Sequence, residues 1–456
     1  MPDTIAAIAT GGNVSAIGII RISGFDAIAA ADKAFRAAAG IKLMDAENRR
    51  MYCGRLISAE GAVLDFCMCM ISRGPYSYTG EDTVEFHCHG SPVVLSEALR
   101  TLFLHGVRQA KAGEFTKRAF LNGRIDLTQA EAVIDLIEAE TPAAAQNAAG
   151  QLYGAVSAGL ESVYSELLNI MAHFHAVIDY PDEDIDDFEM QNYHSLLWSA
   201  KNELSGMLST HERGRVLRNG IPTAIIGRPN TGKSSLLNAL VGYERAIVTE
   251  TPGTTRDTIE EKILIGGVLL RVIDTAGIRK TEDVTESLGV ARTYDAVSRA
   301  ELVVFVFDGS EPLRDEDFSA LKAIPQGVPI IAAVNKSDLP QVLEHNELAE
   351  LGVNYCRICA LTGEGLDTLE SEIKKILPDS VASPSGELIT NARQAEAISK
   401  ALDSLGQAID AIAASVTPDA LLTDIESAIT AIGEVTGKVM RDDIVSRIFE
   451  RFCVGK

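Results

Sequence analysis

The sequence has a deficit of positive charge. Its 41 lysine and arginine residues stand against 64 aspartate and glutamate residues, which gives a formal net charge of -23 at pH 7. Proteins hold nucleic acid largely through phosphate contacts that release counterions, so a chain this acidic is a poor candidate for binding nucleic acid over its whole surface. Any nucleic-acid partner would need a local basic patch or a second protein.

The sequence also lacks the marks of exported and membrane-spanning chains. Its 7 cysteines are an odd number, and no basic stretch precedes its first apolar residues. No uninterrupted apolar run approaches the length that crosses a bilayer. These absences predict a cytoplasmic protein with reduced thiols and no membrane association.

A zinc site is an alternative interpretation of one group of cysteines and histidines. The group consists of Cys67, Cys69, His87, Cys88 and His89. Successive side chains on a strand point to opposite faces, which makes convergence on one zinc ion difficult. The pattern therefore favours ordinary strands over a zinc site.

The order of predicted elements divides the chain into segments. With 456 residues, 46% of them hydrophobic and 23% charged, the chain is expected to fold into more than one globular domain. We predict an α/β domain over 1–122, the first half of a helical domain over 123–220, a strand-and-helix nucleotide domain over 221–380 and the second half of the helical domain over 381–456. The nucleotide domain would then be inserted into the helical one.

Local signals place the first elements of these segments. Thr128 followed by Glu131 predicts a capping box at the start of the first long helix. Apolar runs predict strands at Ile221 to Ile226, Val268 to Ile273 and Val328 to Val334. Cys356 and Cys359 are expected inside a further strand, as small buried apolar side chains.

A glycine-rich loop is the most informative motif. Gly227-Arg-Pro-Asn-Thr-Gly232-Lys233-Ser234 follows the strand that begins at Ile221 and precedes an apolar helix. Strand, glycine loop and helix are the context in which backbone N–H groups surround phosphates. Lys233 is predicted to reach the β and γ phosphates, and the Ser234 hydroxyl to bind magnesium.

Two further phosphate-side elements follow in the expected order. Asp274-Thr-Ala-Gly277 comes directly after a predicted strand, so that Asp274 is placed to hold the magnesium shell and Gly277 to sense the γ-phosphate. Thr255 lies between the two motifs and is the candidate for a second magnesium-binding hydroxyl.

The base is predicted from Asn335-Lys-Ser-Asp338. A carboxylate at Asp338 accepts hydrogen bonds from the N1–H and the 2-amino group of guanine, whereas adenine offers neither donor. The nucleotide is therefore predicted to be GTP. The predicted contact residues are Asn230, Thr231, Gly232, Lys233, Ser234, Ser235, Thr255, Asp274, Thr275, Ala276, Gly277, Asn335, Lys336, Asp338, Cys359 and Ala360.

Hydrolysis requires a group that the loop does not provide. Ile278 follows Gly277 at the position where many small GTPases carry a glutamine that orients water. An apolar side chain cannot do this, so the sequence leaves two options: a slow switch, or catalytic groups from elsewhere. Downstream acids offer candidates for a general base or a water bridge, namely Glu282, Asp283 and Glu286.

With these residues in place, the chain resembles the MnmE (TrmE) family of tRNA-modifying GTPases over nearly its whole length. The segments that carry the resemblance, beyond the nucleotide motifs, are Ile20-Arg-Ile-Ser23, Tyr78-Thr-Gly-Glu-Asp82, Gly113-Glu-Phe-Thr116, Arg118-Ala-Phe-Leu-Asn122, Thr390-Asn-Ala-Arg393 and Phe452-Cys-Val-Gly-Lys456. The nucleotide motifs alone define only a large superfamily. The N-terminal segments and the cysteine-bearing tail narrow it.

The resemblance implies a reaction and partners. It implies a homodimer that works with an FAD- and NADH-using partner, MnmG (GidA), on C5 of the wobble uridine of certain tRNAs, adding an aminomethyl or carboxymethylaminomethyl group. The one-carbon unit would come from a tetrahydrofolate derivative, in the 5-formyl or 5,10-methylene form, held by the N-terminal domain, which also dimerises. The matching positions for folate contact are Arg21, Glu85, Arg124 and Lys456.

The resemblance also implies how the absent glutamine is replaced. Nucleotide domains would pair, with a potassium ion at the position of an arginine finger; its implied ligands are Asn230, Thr249, Thr251 and Thr254, of which Thr249 and Thr254 also count among the GTP contacts. Glu286 matches the acid that orients water. Cys453 is a candidate nucleophile toward uridine C6, with structural packing as the alternative.

Two other functions remain open at this level. One is a GTP-dependent ribosome-assembly factor, which would share the nucleotide motifs but bind no folate. The other is a non-catalytic dimer that uses GTP only to change shape.

Overall fold

The computed structural model describes most of the chain. The described residues are 3–179, 190–243, 261–273, 296–344, 347–348, 352–376, 386–414, 418–439, 442–450 and 452–455. They form two compact units: unit 1 comprises Met1–Ile134, Leu152–Leu197 and Asp403–Lys456, and unit 2 comprises Asp135–Gln151 and Trp198–Leu402. The predicted combination of α/β and helical content is present, while the predicted domain boundaries remain a prediction.

Helices make up much of both units. They span Ala27–Ala34, Pro92–Leu104, Glu114–Leu121, Leu127–Ile137, Pro142–Leu152, Ala155–Asp179, Met190–Ser209, His211–Asn219, Lys233–Tyr243, Asp315–Lys322, Leu366–Ile376, Ala392–Ala413, Pro418–Thr436 and Asp442–Phe449, with one short 3-10 turn at Leu43–Asp45. None of the helices within the described part of the chain is long and apolar enough to cross a membrane.

Unit 1 contains a seven-stranded sheet. Its strands are β1 (Ile5–Ile8), β2 (Ser15–Ser23), β3 (Phe35–Ala37), β4 (Met51–Ile57), β5 (Val63–Ser72), β6 (Thr83–Gly90) and β7 (Arg108–Gln109). The spatial order is β3-β4-β5-β6-β2-β1-β7, and all neighbours are antiparallel except β1 and β7. Antiparallel pairing allows one face of such a sheet to be buried and the other to face outward.

Alternation along β2 and β6 decides which side chains are buried in this sheet. Ile20 and Ile22 pack in the core with Phe86, and each is at most 2% exposed. Arg21 and Glu85 occupy the intervening positions and therefore lie on the opposite face, where both are partly exposed. One face of the sheet therefore packs the apolar core, and the other carries the polar side chains.

The cysteine and histidine cluster is split by the same alternation. Cys67, Cys69 and Cys88 are buried in the apolar core, whereas His87 and His89 belong to the other face. Over the described ranges, no group of three or more His, Cys, Asp or Glu side chains is placed to hold a metal ion. The three thiols act as small apolar core side chains.

The helix Leu127–Ile137 begins with a different cap from the predicted one. Asp126 Oδ1 accepts a hydrogen bond from the Gln129 backbone N–H at 2.9 Å, and Gln129 Oε1 accepts one from the Asp126 N–H at 3.0 Å. This reciprocal pair is a capping box, so the prediction of Thr128 and Glu131 was wrong by two residues. Thr128 instead donates its hydroxyl to Asp126 at 2.7 Å.

Unit 2 contains a six-stranded sheet that is mostly parallel. Its strands are β8 (Ile221–Ile226), β9 (Glu261–Ile265), β10 (Val268–Val272), β11 (Leu302–Asp308), β12 (Ile330–Asn335) and β13 (Asn354–Arg357), in the order β13-β12-β11-β8-β10-β9. Only β9 is antiparallel to its neighbour. Every residue of β11 is buried, as expected for a strand covered on both faces.

Two strand predictions need correction. The strand predicted from Val328 begins at Ile330, directly after Pro329, which has no N–H for the ladder. Cys356 lies within β13, but Cys359 lies two residues beyond its end. Both cysteines are buried all the same, at 2% and 1% exposure.

The capping box predicts a stability effect. Replacing Asp126 with Ala removes the acceptor for the Gln129 N–H and should lower the free energy of unfolding of the transition that includes this helix by about 1 kcal/mol. Urea denaturation followed by circular dichroism measures the change. Asp126→Ser keeps a capping oxygen and is the control; equal losses in both variants would show that the cap contributes little.

Candidate functional site

The candidate site of unit 2 lies where parallel strands end. The strand β11 lies between β8 and β12, and all three run in the same direction, so the residues after Ile226, Asp308 and Asn335 meet at one edge of the sheet. Ligands of open α/β sheets bind at this carboxyl edge. The segments predicted to contact phosphate and base both begin there.

The loop after β8 has the backbone of a phosphate-binding loop. Asn230 has a positive φ of 64°, and Gly232 one of 98°. The helix Lys233–Tyr243 starts immediately afterwards, and its first turn is closed by a 2.8 Å hydrogen bond from the Leu236 N–H to the Gly232 carbonyl. The N–H groups of the first helical turn therefore lie beside the loop, where they favour an anion.

Asn335 joins this loop to the segment after β13. The buried Asn335 side chain donates from Nδ2 to the Thr231 carbonyl at 2.8 Å and accepts at Oδ1 from the Ala360 N–H at 2.9 Å. A Cβ atom on Gly232 would collide with Asn335 Nδ2, so the loop requires glycine at this position for packing as well as for its backbone angle.

Lys233 is held within the loop. Its Nζ donates to the Arg228 carbonyl at 2.6 Å. Burial lowers the pKa of the Lys233 ammonium to about 8, because the charged form loses hydration. A phosphate oxygen would supply a negative charge beside this partly buried ammonium.

The base side of the site is formed by Asp338 and Cys359. Asp338 is exposed, and its Oδ1 accepts a hydrogen bond from the buried Cys359 thiol at 3.2 Å. The Ser337 N–H donates to the Ile358 carbonyl at 3.1 Å, which fixes the loop behind the carboxylate. The carboxylate is thereby oriented from one side and left open to a ligand on the other.

Two ion pairs beside the site were not expected from the sequence. Arg228 Nε lies 2.8 Å from Oδ2 of the buried Asp317, which also accepts the Arg314 N–H at the start of the helix Asp315–Lys322. Lys336 Nζ pairs with Asp308 at the end of β11. The sequence shows that Asp317 and Asp308 are acidic, but it does not show which basic residue each one pairs with. In both pairs the partner lies far away along the chain.

The other predicted site residues of unit 2 fall into two groups. Ser234 is partly buried in the first helical turn and Ser235 is exposed. The predicted residues that lie outside the described ranges are Thr249, Thr251, Thr254, Thr255, Asp274, Thr275, Ala276, Gly277 and Glu286.

In unit 1 the structure pairs two of the predicted folate residues. Arg21 and Glu85 are cross-strand partners, with Arg21 Nε 2.8 Å from Glu85 Oε1. The Arg21 guanidinium lies 5.4 Å from the centre of the Tyr78 ring and 5.7 Å from that of Phe115. Both polar side chains are about one-fifth exposed, at 20% and 19%, so they are oriented by neighbours but remain accessible.

The C-terminal tail of unit 1 packs beside the same sheet. Val454 forms a bridge with Ala112, and the Gly113 N–H donates to the Cys453 carbonyl at 3.2 Å. Gly455 approaches the carbonyl of Ile8 so closely that a side chain would not fit. Cys453 itself is exposed, and Lys456 lies outside the described residues. Arg124, also exposed, is not placed beside Arg21 by any contact of the described residues.

The glycine loop at a helix N-terminus, the partly buried lysine and the oriented carboxylate after β12 define a P-loop protein that binds a guanine nucleotide. Two family models match the chain: the MnmE helical domain over residues 127–453, and the N-terminus of the GTP-binding protein TrmE over residues 4–124. The chain belongs to the MnmE family of tRNA modification GTPases, as the sequence resemblance predicted.

Relatives match along the whole chain. The tRNA modification GTPases MnmE of Natranaerobius thermophilus, Clostridioides difficile and Symbiobacterium thermophilum are 42%, 39% and 41% identical, each over 100% of this chain and 99% of the relative. Among solved structures, the G domain of the T. maritima FeoB iron transporter covers 34% of this chain and 96% of its own at 27% identity, with a TM-score of 0.26.

The role of Asn335 can be tested by removing its amide. Asn335→Ala leaves the Thr231 carbonyl and the Ala360 N–H without their buried partner, and unpaired buried groups cost about 1–3 kcal/mol each. We expect GTP affinity to fall about tenfold or more, because the phosphate loop and the base loop lose their connection. Titration with a fluorescent GTP analogue measures the change.

Asn354→Ala is the matched control, since Asn354 is an exposed asparagine on the neighbouring strand β13. Its affinity should equal that of the parent. Unchanged affinity in Asn335→Ala would mean that the two loops keep their positions without the amide.

Proposed function

We propose that this chain binds and hydrolyses GTP as a subunit of a cytoplasmic complex that modifies C5 of the wobble uridine in certain tRNAs, to aminomethyl or carboxymethylaminomethyl uridine. The observation that carries the proposal is the meeting of Lys233, Asn335 and Asp338 at one sheet edge, in a chain of this family. The inserted position of the nucleotide domain within the helical domain is part of the same proposal.

Selection of guanine rests on Asp338. Its carboxylate is exposed on the ligand side, and Cys359 donates to one oxygen, which leaves lone pairs for the N1–H and the 2-amino group. Adenine would place an acceptor against the carboxylate and leave it unpaired. Sites of this kind discriminate strongly, because the wrong ligand leaves a desolvated polar group without a partner.

The phosphates would lie over the loop of residues 227–232. Its backbone, the helix N-terminus and the Lys233 ammonium all present positive charge to one location. The partly buried Ser234 hydroxyl, in the first helical turn, fits a magnesium ligand, with Thr255 as the second. Bound magnesium neutralises charge that develops on the phosphate oxygens.

Hydrolysis would depend on dimerisation of the nucleotide domains. Potassium, held by Asn230, Thr249, Thr251 and Thr254, would supply the charge that an arginine finger supplies elsewhere. The left-handed backbone of Asn230, at φ 64°, suits a side chain that takes part in a tight loop at the phosphates. Glu286 would orient the attacking water.

The carbon chemistry would use the open face of the unit 1 sheet. Arg21 and Glu85, paired there, suit a tetrahydrofolate: the carboxylate matches the 2-aminopyrimidinone edge of the pterin, and the cation matches the anionic tail. The bound folate supplies the one-carbon unit. Arg124, Lys456 and Cys453 belong to this proposal as tail contacts and as a candidate nucleophile.

The net charge and the exposed apolar side chains support the proposed partners. A chain with net charge -23 would meet tRNA through its complex with the FAD- and NADH-using MnmG, which carries out the redox step. The same open sheet face exposes Ile17, Phe66 and Met68, at 59%, 70% and 47%. Exposed apolar clusters mark association surfaces, which supports a homodimer through this domain.

The function is tested on cellular tRNA. In cells without this chain, nucleoside mass spectrometry should show wobble uridine without its C5 substituent, and reintroduced parent chain should restore the modification. Lys233→Ala should not restore it, since the variant lacks the phosphate-binding cation. Normal modification in the absence of the chain would contradict the function.

Glu286 is tested by separating binding from turnover. Glu286→Ala should preserve GTP affinity and slow potassium-stimulated hydrolysis by about 100-fold, within the usual range for loss of a positioned acid or base. Asp283→Ala, a nearby acid without the proposed role, should keep the parent rate. Equal rates for the Glu286 variant and the parent would remove Glu286 from the mechanism.

A further inference from the structure

Apart from Arg124, the lining of an open cavity within unit 1 has no role in the function described so far. Its volume is about 370 Å³, within the range of small-ligand sites. Its lining includes Phe120, Arg124, Asp126, Gln129, Gly437 and Lys438. The floor is fixed by a close contact, because Gly437, with a φ of 86°, lies against the Phe120 ring where a Cβ atom would not fit.

The cavity carries two cations in a strongly acidic chain. Arg124 is exposed, and over the described ranges no hydrogen bond or ion pair engages its guanidinium. Lys438 Nζ pairs with Glu161 and lies 4.0 Å from the centre of the Tyr164 ring. Since the Lys438 and Glu161 side chains are 38% and 52% exposed, this pair is weak and leaves Lys438 free to share its charge with a ligand.

Among the described residues that line the cavity, the single acid, Asp126, already has hydrogen-bond partners. Asp126 Oδ1 accepts the Gln129 N–H and the Thr128 hydroxyl, so its negative charge faces the N-terminus of the helix Leu127–Ile137. The cavity therefore presents net positive charge to a ligand. Gln129 adds an amide that is itself bonded, to the Leu152 carbonyl at 2.9 Å.

One loop connects the cavity to the proposed folate site. Tyr78 stacks on the Arg21 guanidinium, and two residues later Gly80 lies against Arg124, with a Cβ on Gly80 only 3.3 Å from Arg124 Cγ. Asn122 Nδ2 donates to the intervening Thr79 carbonyl at 2.7 Å, which holds this loop in place. A ligand with its ring at Arg21 and Glu85 would reach Arg124 by passing this loop.

We propose that the cavity binds the oligo-γ-glutamyl tail of the folate, with Arg124 and Lys438 contacting successive tail carboxylates. The inference rests on the proposed folate site and extends it to a class of substrate, the polyglutamylated folates. Each glutamyl unit adds one carboxylate on a flexible chain, and paired cations are the complement of such a chain. Elsewhere the acidic surface repels a polyanion, which makes a local pair of cations selective.

The experiment compares two forms of one folate on the full chain. Isothermal titration with 5-formyltetrahydrofolate as the monoglutamate and as the triglutamate gives two dissociation constants, and their ratio is the readout. We expect the triglutamate to bind about tenfold more tightly at low salt, with the ratio falling as salt screens the charges.

Lys438→Met keeps the aliphatic contact with Tyr164 but removes the charge, and it should reduce the ratio to about twofold or less. Two controls should not lower the ratio. Glu161→Gln removes the ion-pair partner of Lys438 but retains its ammonium, which separates a binding role from a structural one. Lys201→Met removes a lysine that likewise lies over an aromatic ring, 5.2 Å from the centre of Trp198.

The outcomes distinguish the two proposals. If the monoglutamate binds and the triglutamate binds no more tightly, the tail site is wrong and the folate site stands. If neither form binds, both fail. If Lys438→Met leaves the ratio unchanged but weakens tRNA binding, the cavity belongs to a phosphate of tRNA, and the tail proposal is wrong.

Discussion

The nucleotide site depends on the side chain of Asn335. One amide fixes the phosphate loop through the Thr231 carbonyl and the base loop through the Ala360 N–H. Because both bonds are buried, neither loop can shift without leaving an unpaired polar group. Loops after three neighbouring parallel strands are thus kept in one relative arrangement before any nucleotide arrives, and a preorganised site has less conformational freedom to lose on binding.

Positive charge distinguishes the proposed ligand sites from the acidic surface around them. The chain is strongly acidic, yet cations are concentrated where anions would bind: Lys233 in the phosphate loop, Arg21 on the open sheet face, and Arg124 with Lys438 at the cavity of unit 1. Burial weakens the hold of Lys233 on its proton, and Glu85 offsets the charge of Arg21. An anionic ligand would balance the charge of Lys233, whereas at Arg21 the paired Glu85 already balances much of it.

The two sheets differ in strand pairing and in where their functional residues lie. The parallel sheet of unit 2 is covered on both faces, and its chemistry lies at the carboxyl edge of the strands. The antiparallel sheet of unit 1 buries one face and leaves Arg21 and Glu85 on the other. Function in the first case depends on loops, and in the second on alternate residues of the strands themselves.

The sequence by itself determined the motifs and the family. The glycine loop, the segment from Asn335 to Asp338 and the N-terminal segments are each a continuous run of residues with local chemistry. They can therefore be identified without knowledge of the fold. It also placed three strands of unit 2 to within two residues at either end, because apolar runs report burial directly. It missed the true cap at Asp126, where two plausible pairs lie two residues apart.

Only the tertiary structure decided which distant residues meet. The contacts of Asn335 with Thr231, of Arg228 with Asp317 and of Gly80 with Arg124 join residues far apart in the chain. No periodicity encodes such pairs, because each depends on how strands are ordered in a sheet and on where loops cross. For the same reason, the cavity between the segments around Arg124 and Lys438 could not be predicted from the sequence.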